Sequence, residues 1–209
     1  GQIETINNTK PGHYLTLANP GTGKSVLLLS KAYRLVSLNK NAKVLITCYN
    51  TNLKEHHRIF SEHSGLRTSN ITVDSFFHYI LTHLTKNGLM PSRISSLSDE
   101  DDKYNKSVDE FNRCVVEGKI TPEFDAVFID EVQLLENWQN LANTLRLQEN
   151  VDVYLTGSNA FLLSSDLATL FGGRVFEIPI FPFSFAEYVK YYSLHDNPDK
   201  AFDSYVKQG

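Results

Sequence analysis

The sequence predicts an α/β fold: a mostly parallel sheet with helices on both faces. Three observations carry this. Short apolar runs alternate along the chain with longer stretches of helical periodicity. One run, Tyr14-Leu15-Thr16-Leu17, enters a glycine turn that opens a long apolar helix. Another, Phe124 to Ile129, ends in two adjacent carboxylates. Strands that alternate with helices pair in parallel, because a helix is needed to carry the chain back to the starting end of the sheet.

The elements follow in order. Lys24 to Leu38 is helical and apolar on most sides (Val26, Leu27, Leu28, Leu29, Ala32, Tyr33, Leu35, Val36), so it should be largely buried. Lys43 to Cys48 reads as a second strand, Asn52 to His63 as a polar helix, and Ile71 to Val73 as a third strand. Asp74 is placed to cap a helix carrying Phe76, Phe77, Ile80, Leu81 and Leu84, which stops at Asn87-Gly88. The acidic, serine-rich stretch Ser95 to Asp102 reads as a solvated surface excursion. A short helix with Val108, Phe111 and Val115 follows and stops at Gly118.

Beyond the strand Phe124 to Ile129, a helix is expected from Leu134 to Arg146, with Leu134, Trp138, Leu141 and Leu145 on one face. Then come a strand from Val151 to Leu155, a helix from Ala160 to Phe171 closed by Gly172-Gly173, and a strand from Arg174 to Ile178. Ser184-Phe185-Ala186-Glu187 has the capping-box pattern and should open a helix through Tyr191. Pro198 should be the first residue of a last helix.

Bulk properties exclude several classes. The 209 residues suit one large domain, and 41% hydrophobic with 21% charged residues is ordinary for a soluble globular chain. A net charge of -4 gives no overall basic field for nucleic acid. Two cysteines, Cys48 and Cys114, make neither a disulfide framework nor a zinc site, so a reducing cytoplasm is expected. No apolar run approaches the ~20 residues that span a bilayer, so no membrane partner is expected. The first apolar stretch sits behind Lys10-Pro11-Gly12, unlike a signal peptide. A start at Gly1 without Met and a stop at Gly209 read as a fragment or an engineered chain.

Ala18-Asn19-Pro20-Gly21-Thr22-Gly23-Lys24-Ser25 matches G-x-x-x-x-G-K-[ST] except that Ala18 replaces the first glycine. It also has the required context, a strand before and a helix after. Gly21 and Gly23 let the backbone turn its N–H groups inward toward phosphate oxygens. Asn19, Pro20 and Thr22 complete the cradle. Lys24 brings a compact charge to the β and γ phosphates, Ser25 offers a hydroxyl to Mg²⁺, and the helix N-terminus adds its dipole.

Asp130 and Glu131 end the strand from Phe124. Asp130 is the expected Mg²⁺-shell carboxylate and Glu131 the residue that deprotonates or orients the attacking water. An adjacent Asp-Glu pair is typical of ATP hydrolases with an extra strand between the two motifs. No Asn-Lys-x-Asp guanine-reading motif occurs. Gln133 is placed to sense the γ-phosphate or to couple it to a neighbouring element. The two motifs together resemble those of a RecA-like/ASCE P-loop NTPase domain, which implies ATP and Mg²⁺ as ligands.

Thr156-Gly157-Ser158-Asn159 follows another strand, and ligands of open α/β sheets sit at strand carboxyl ends. Ser158 or Asn159 either contacts the γ-phosphate or attacking water, or caps the following helix. Arg174 is either a phosphate sensor or finger, or a structural ion-pair partner. The histidines, His56 and His57 among them, read as surface residues. Lys54, His57 and Arg58 form either a basic patch or a solvated helix face. Phe181, Phe183 and Phe185 alternate and read as core or interface.

Residues 1–133 resemble the first motor domain of UvrD-like superfamily 1 helicases. The resemblance rests on Gln2-Ile3-Glu4-Thr5-Ile6, Ala18 to Ser25, Ile46 to Leu53, Thr72-Val73-Asp74-Ser75-Phe76 and Asp130-Glu131-Val132-Gln133. It implies that Gln2 reads adenine and that the third and fourth segments touch single-stranded DNA. The Gly-Asp-x-x-Gln motif due next is replaced by Thr156-Gly157-Ser158-Asn159. Residues 129–187 instead resemble STAND-like bacterial and archaeal AAA-type ATPases, through Asp130 to Gln133, Trp138, Thr156 to Asn159, Gly173-Arg174 and Pro182 to Glu187. A splice near Gln133, natural or engineered, accommodates both. The expectation is a single domain over 1–209, helicase-like to residue 133 and AAA-type-like over 134–209. It would bind Mg-ATP and hydrolyse it slowly. The alternatives are a nucleotide-binding module with negligible turnover and a single-stranded-DNA-binding helicase fragment. The expected partners are ATP and either single-stranded DNA or another ATPase subunit.

Overall fold

The computed structural model describes residues 6–8, 10–19, 21–48, 54–55, 57–59, 62, 69–135, 138–148, 150–158, 175–182, 184–194 and 198–208. Six strands form one sheet: β1 (His13–Ala18), β2 (Val44–Cys48), β3 (Ile71–Ser75), β4 (Ala126–Asp130), β5 (Asp152–Ser158) and β6 (Phe176–Ile180). Their order is β3-β2-β4-β5-β1-β6 and every pairing is parallel. The chain is an α/β P-loop NTPase fold. Strand β5 lies between β1 and β4, so an extra strand does separate the glycine loop from the acidic strand end.

The central strands are buried on both faces, as parallel sheets require. Leu15, Leu17, Leu45, Val127, Ile129, Val153 and Leu155 point to one side, where they meet α2 (Phe76–Lys86), α4 (Glu100–Val116) and α5 (Trp138–Leu147). Tyr14, Val44, Ile46, Ala126, Phe128 and Tyr154 point to the other and pack on α1 (Lys24–Leu38). Strand register stacks four rings in a row on that face. Phe128 lies 4.3 Å from Tyr154, Tyr154 lies 5.0 Å from Tyr14, and Tyr14 lies 5.3 Å from Phe176. Such pairs contribute about 0.5–1.5 kcal/mol each beyond their buried area. The row fixes β4, β5, β1 and β6 against one another, and with them the ends that carry the polar residues.

Several sequence expectations need correction. The acidic stretch is not a loose excursion. A single turn, α3 (Ser92–Ser95), precedes α4, which begins at Glu100 with Asp99 as N-cap accepting from the Asp102 amide. Glu100, Asp101 and Asp102 fall in its first turn, where carboxylates favour the helix dipole. The cap of α2 is Ser75, which accepts from the His78 amide, while Asp74 remains in β3. The stretch from Leu134 is split into a 3₁₀ turn (Val132–Leu134) and α5, and Leu134 is 47% exposed. Strand β6 is shifted two residues toward the C-terminus of its expected position, and Phe181 is 75% exposed rather than core. The expected helix over 160–171 lies outside the described residues.

The capping box holds: Ser184 accepts from the Glu187 amide and Glu187 accepts from the Ser184 amide at the start of α6 (Phe185–Tyr191). Pro198 is the first residue of α7 (Pro198–Gln208). Among the described residues, no helix is long and apolar enough to cross a membrane.

Candidate nucleotide site

The glycine loop bends because two of its residues adopt left-handed backbone angles, φ 79° at Gly21 and φ 82° at Gly23. An added Cβ would meet nothing within 4 Å at either position, so the requirement for glycine is conformational rather than one of space. The Asn19 carbonyl tightens the turn, accepting from the Thr22 amide at 3.4 Å and the Thr22 hydroxyl at 2.8 Å. No side chain caps α1, and its first turn holds no carboxylate. The start of α1 therefore has no carboxylate of its own first turn against the positive end of its dipole, a geometry suited to an anion.

Strand β4 delivers Asp130 beside α1. Its carboxylate is fully buried and takes donors on both oxygens. Ser25 Oγ donates to Oδ2 at 2.7 Å and Thr156 Oγ1 donates to Oδ1 at 2.5 Å. His57 Nε2 lies 3.0 Å from Oδ2. Burial alone would raise this carboxyl, but the donors from His57, Thr156 and Ser25 outweigh it and hold the group below its usual range.

Glu131 follows in the left-handed region, φ 51° and ψ 52°, between β4 and the 3₁₀ turn. A non-glycine residue rarely sits there. Its amide is held by Thr156 Oγ1 at 3.2 Å, and its carboxylate accepts from Gln133 Nε2 at 2.6 Å. Lys24 Nζ reaches both the Asn19 carbonyl at 3.3 Å and Glu131 Oε1 at 3.4 Å. Asn19, Gly21, Thr22, Gly23, Lys24, Ser25, Asp130, Glu131 and Gln133 are thus gathered around the carboxyl ends of β1 and β4. Ser158 closes β5 opposite Ala18, which places its backbone at the same end of the sheet. Gln2, Pro20, Asn159 and Arg174 lie outside the described residues.

A model of the AAA domain family matches residues 78–189, more than half of the chain. The chain belongs to the AAA domain family. Membership in it implies nucleotide binding and makes this AAA domain a P-loop NTPase of the AAA type. It is 35% identical over 152 residues to an uncharacterized protein of Haemophilus influenzae, covering 70% of this chain and 38% of that protein. It is 30% identical over 93 residues to the uncharacterized protein MJ1544 of Methanocaldococcus jannaschii, covering 44% and 21%. The chain therefore spans less than two fifths of the length of these curated relatives. Among solved structures it is similar to domain III of the Thermotoga maritima replication initiation protein DnaA (TM-score 0.45, 14% identity, 90% of this chain and 63% of that one). It is similar to the Aeropyrum pernix ORC1 protein in complex with DNA (TM-score 0.45, 14%, 91% and 44%) and to the flagellar accessory protein FlaH of M. jannaschii (TM-score 0.44, 15%, 84% and 74%).

Two residues of this AAA domain's site were not singled out in the sequence for the positions they hold. Thr156 joins Asp130 to the Glu131 amide; the sequence marks it only as the first residue of the Thr156-Gly157-Ser158-Asn159 strand end, where Ser158 and Asn159 are the expected contacts. His57 was expected at the surface and is buried against Asp130. Its neighbours also do not form an open basic patch. Lys54 pairs with Asp74 at 2.6 Å, and Arg58 pairs with Glu55 and Glu62, each at 2.5 Å. No group of three or more His, Cys, Asp or Glu that could hold a metal occurs among the described residues.

Proposed function

We propose that this chain binds Mg-ATP and hydrolyses it slowly to ADP and phosphate. The observation that carries the reading is the 2.7 Å contact between Ser25 and Asp130 beside the loop lysine. A hydroxyl and a carboxylate meeting at a helix N-terminus are a hard oxygen pair suited to Mg²⁺, which binds through one or two protein oxygens plus substrate phosphates. Ser25 and Asp130 would hold Mg²⁺, which would offset the charge of the phosphates.

The chain's own residues supply the rest. The loop amides and Lys24 cradle the phosphates. Glu131, held by Thr156 and Gln133, takes a proton from water as its oxygen attacks the γ-phosphorus. The bond from that phosphorus to the bridging oxygen breaks, and ADP leaves with the electron pair. Slow turnover follows from charge. Among the described residues, the contacts of Lys24, Ser25, Asp130 and Glu131 include no arginine. An arginine at the γ-phosphate is worth about 10³–10⁵ in rate.

The test is calorimetric titration of ATP into the parent and Lys24→Ala, with phosphate release measured in parallel. A charge-assisted contact of about 1.5–3 kcal/mol predicts a loss of roughly ten- to a hundredfold in affinity. Equal affinity of the two proteins would refute the phosphate-loop assignment. Tight binding with no release would leave a nucleotide-binding module.

A further inference from the structure

The stretch that follows β2 is polar, and its described residues 54–55, 57–59 and 62 are helical. Its burial runs opposite to its hydrophobicity. Ile59 is 43% exposed, while His57, two residues earlier, is 0% exposed. Burying an imidazole costs free energy unless a partner compensates it, and an aliphatic side chain would fill the same space without that cost. The compensation is Asp130. Strand register already sets Cys48, the last residue of β2, beside Asp130. His57 Nε2 lies 3.0 Å from Asp130 Oδ2, the oxygen that also receives the Ser25 hydroxyl. The 3.0 Å contact is a close approach rather than an aligned hydrogen bond. An ionised carboxylate only accepts, so a hydrogen bond here would need the proton on Nε2.

Asp130 Oδ1 is taken by Thr156, and Oδ2 is shared by Ser25 and His57. These three groups approach from three separate elements: β5, α1 and the helical stretch after β2. Ser25 and Oδ2 are the pair that would turn toward a metal, which leaves Thr156 and His57 to hold the carboxylate from behind. Groups that stand behind a metal ligand fix its orientation, and their loss typically costs about 10–100-fold in metal affinity.

We propose that His57 is a positioning residue for the metal at this site: it holds the Asp130 carboxylate so that Oδ2 faces Mg²⁺ and the bound phosphates. This rests on the Mg-ATP reading above. It predicts a defect in the Mg²⁺-dependent part of nucleotide binding, because the contact of His57 that carries this role is with Asp130.

The experiment is ATP titration followed by calorimetry, first in EDTA and then across a Mg²⁺ series, with a thermal melt of every variant. His57→Phe keeps the ring volume and removes the N–H. His57→Gln places an amide nitrogen at the same bond count from the backbone as Nε2. Expected for His57→Phe is a half-saturating Mg²⁺ concentration raised about 10–100-fold with ATP affinity in EDTA within about twofold of the parent. His57→Gln should recover most of the loss. Parent-like Mg²⁺ dependence in His57→Phe, or a His57→Gln as weak as His57→Phe, overturns the proposal. If His57→Phe shows no cooperative melt, His57→Gln is compared with the shorter His57→Asn. A parent-like Gln variant and a weakened Asn variant support the role, and equal Mg²⁺ dependence of the two overturns it. Failure of the Mg-ATP reading looks different: the parent itself would then show no ATP binding, or binding that Mg²⁺ does not tighten.

Discussion

Lys24 and Glu131 form an ion pair across the phosphate loop, with Nζ 3.4 Å from Oε1. The residue that would hold the phosphates is thus engaged by the residue that would prepare the water. In the proposed function, phosphate oxygens would compete with Glu131 for the ammonium group, and that competition would tie nucleotide arrival to release of the carboxylate.

Glu131→Gln should therefore separate binding from chemistry. The amide keeps the shape and the Gln133 neighbour but abolishes both the base and the ion pair. ATP affinity should be retained or tightened, because Lys24 no longer leaves a charged partner. Phosphate release should fall by about 10²–10⁴-fold, the usual contribution of a general base. Parallel calorimetry and phosphate-release assays decide it, and unchanged turnover would move the role to another residue.

Thr156→Val should destabilise the site while conserving volume. It removes the donor to Asp130 Oδ1 and the acceptor for the Glu131 amide. A polar group left without its partner in a buried setting costs about 1–3 kcal/mol. The urea midpoint should drop with an unchanged slope, and Thr156→Ser should restore most of it. A Val variant as stable as the parent would show that the hydroxyl bridge contributes nothing to folding.

Asp152 predicts a pH effect far from the chemistry. Burial raises its carboxyl above 3.8, and the charge of Asp125 adds to the rise, while the Gly12 amide it accepts at 2.7 Å opposes it. The folded protein therefore keeps this proton to higher pH than the unfolded chain does. Stability from this group is fully present below pH 3.8 and is lost as pH rises through the folded value. Asp152→Asn keeps an oxygen for Gly12 and has no proton to lose. Its urea midpoint should lack that decline and exceed the parent's at neutral pH. Parallel pH profiles for the two proteins would exclude Asp152 as the source.

Much of the architecture could be read from local pattern. The strand into Ala18, the loop to Ser25 and the helix from Lys24 occupy consecutive residues, so spacing alone specified their geometry. The capping box at Ser184 and the first-turn Pro198 are equally local. One local signal can have two physical meanings. The acidic run at Glu100 to Asp102 reads as a solvated stretch because carboxylates favour water, yet they equally favour a helix N-terminus, which is where the fold puts them. Asp74 and Ser75 are both good caps, and pairing of β3 with β2 up to Ser75 decided between them.

By itself the sequence determined the phosphate loop, the carboxylates at the end of β4 and an α/β layering, because each is written in neighbouring residues or in a short period. Tertiary structure alone decided what surrounds Asp130. Ser25 is 105 residues from it and Thr156 is 26 residues away on the far side, and they meet only because β5 lies between β1 and β4. His57 carries no pattern that separates it from the charged residues around it. Its burial follows from tertiary packing against Asp130 at the end of β4. A buried carboxylate with two oxygens to satisfy draws its donors from whichever elements the sheet order brings near, and that order is a property of the assembled fold.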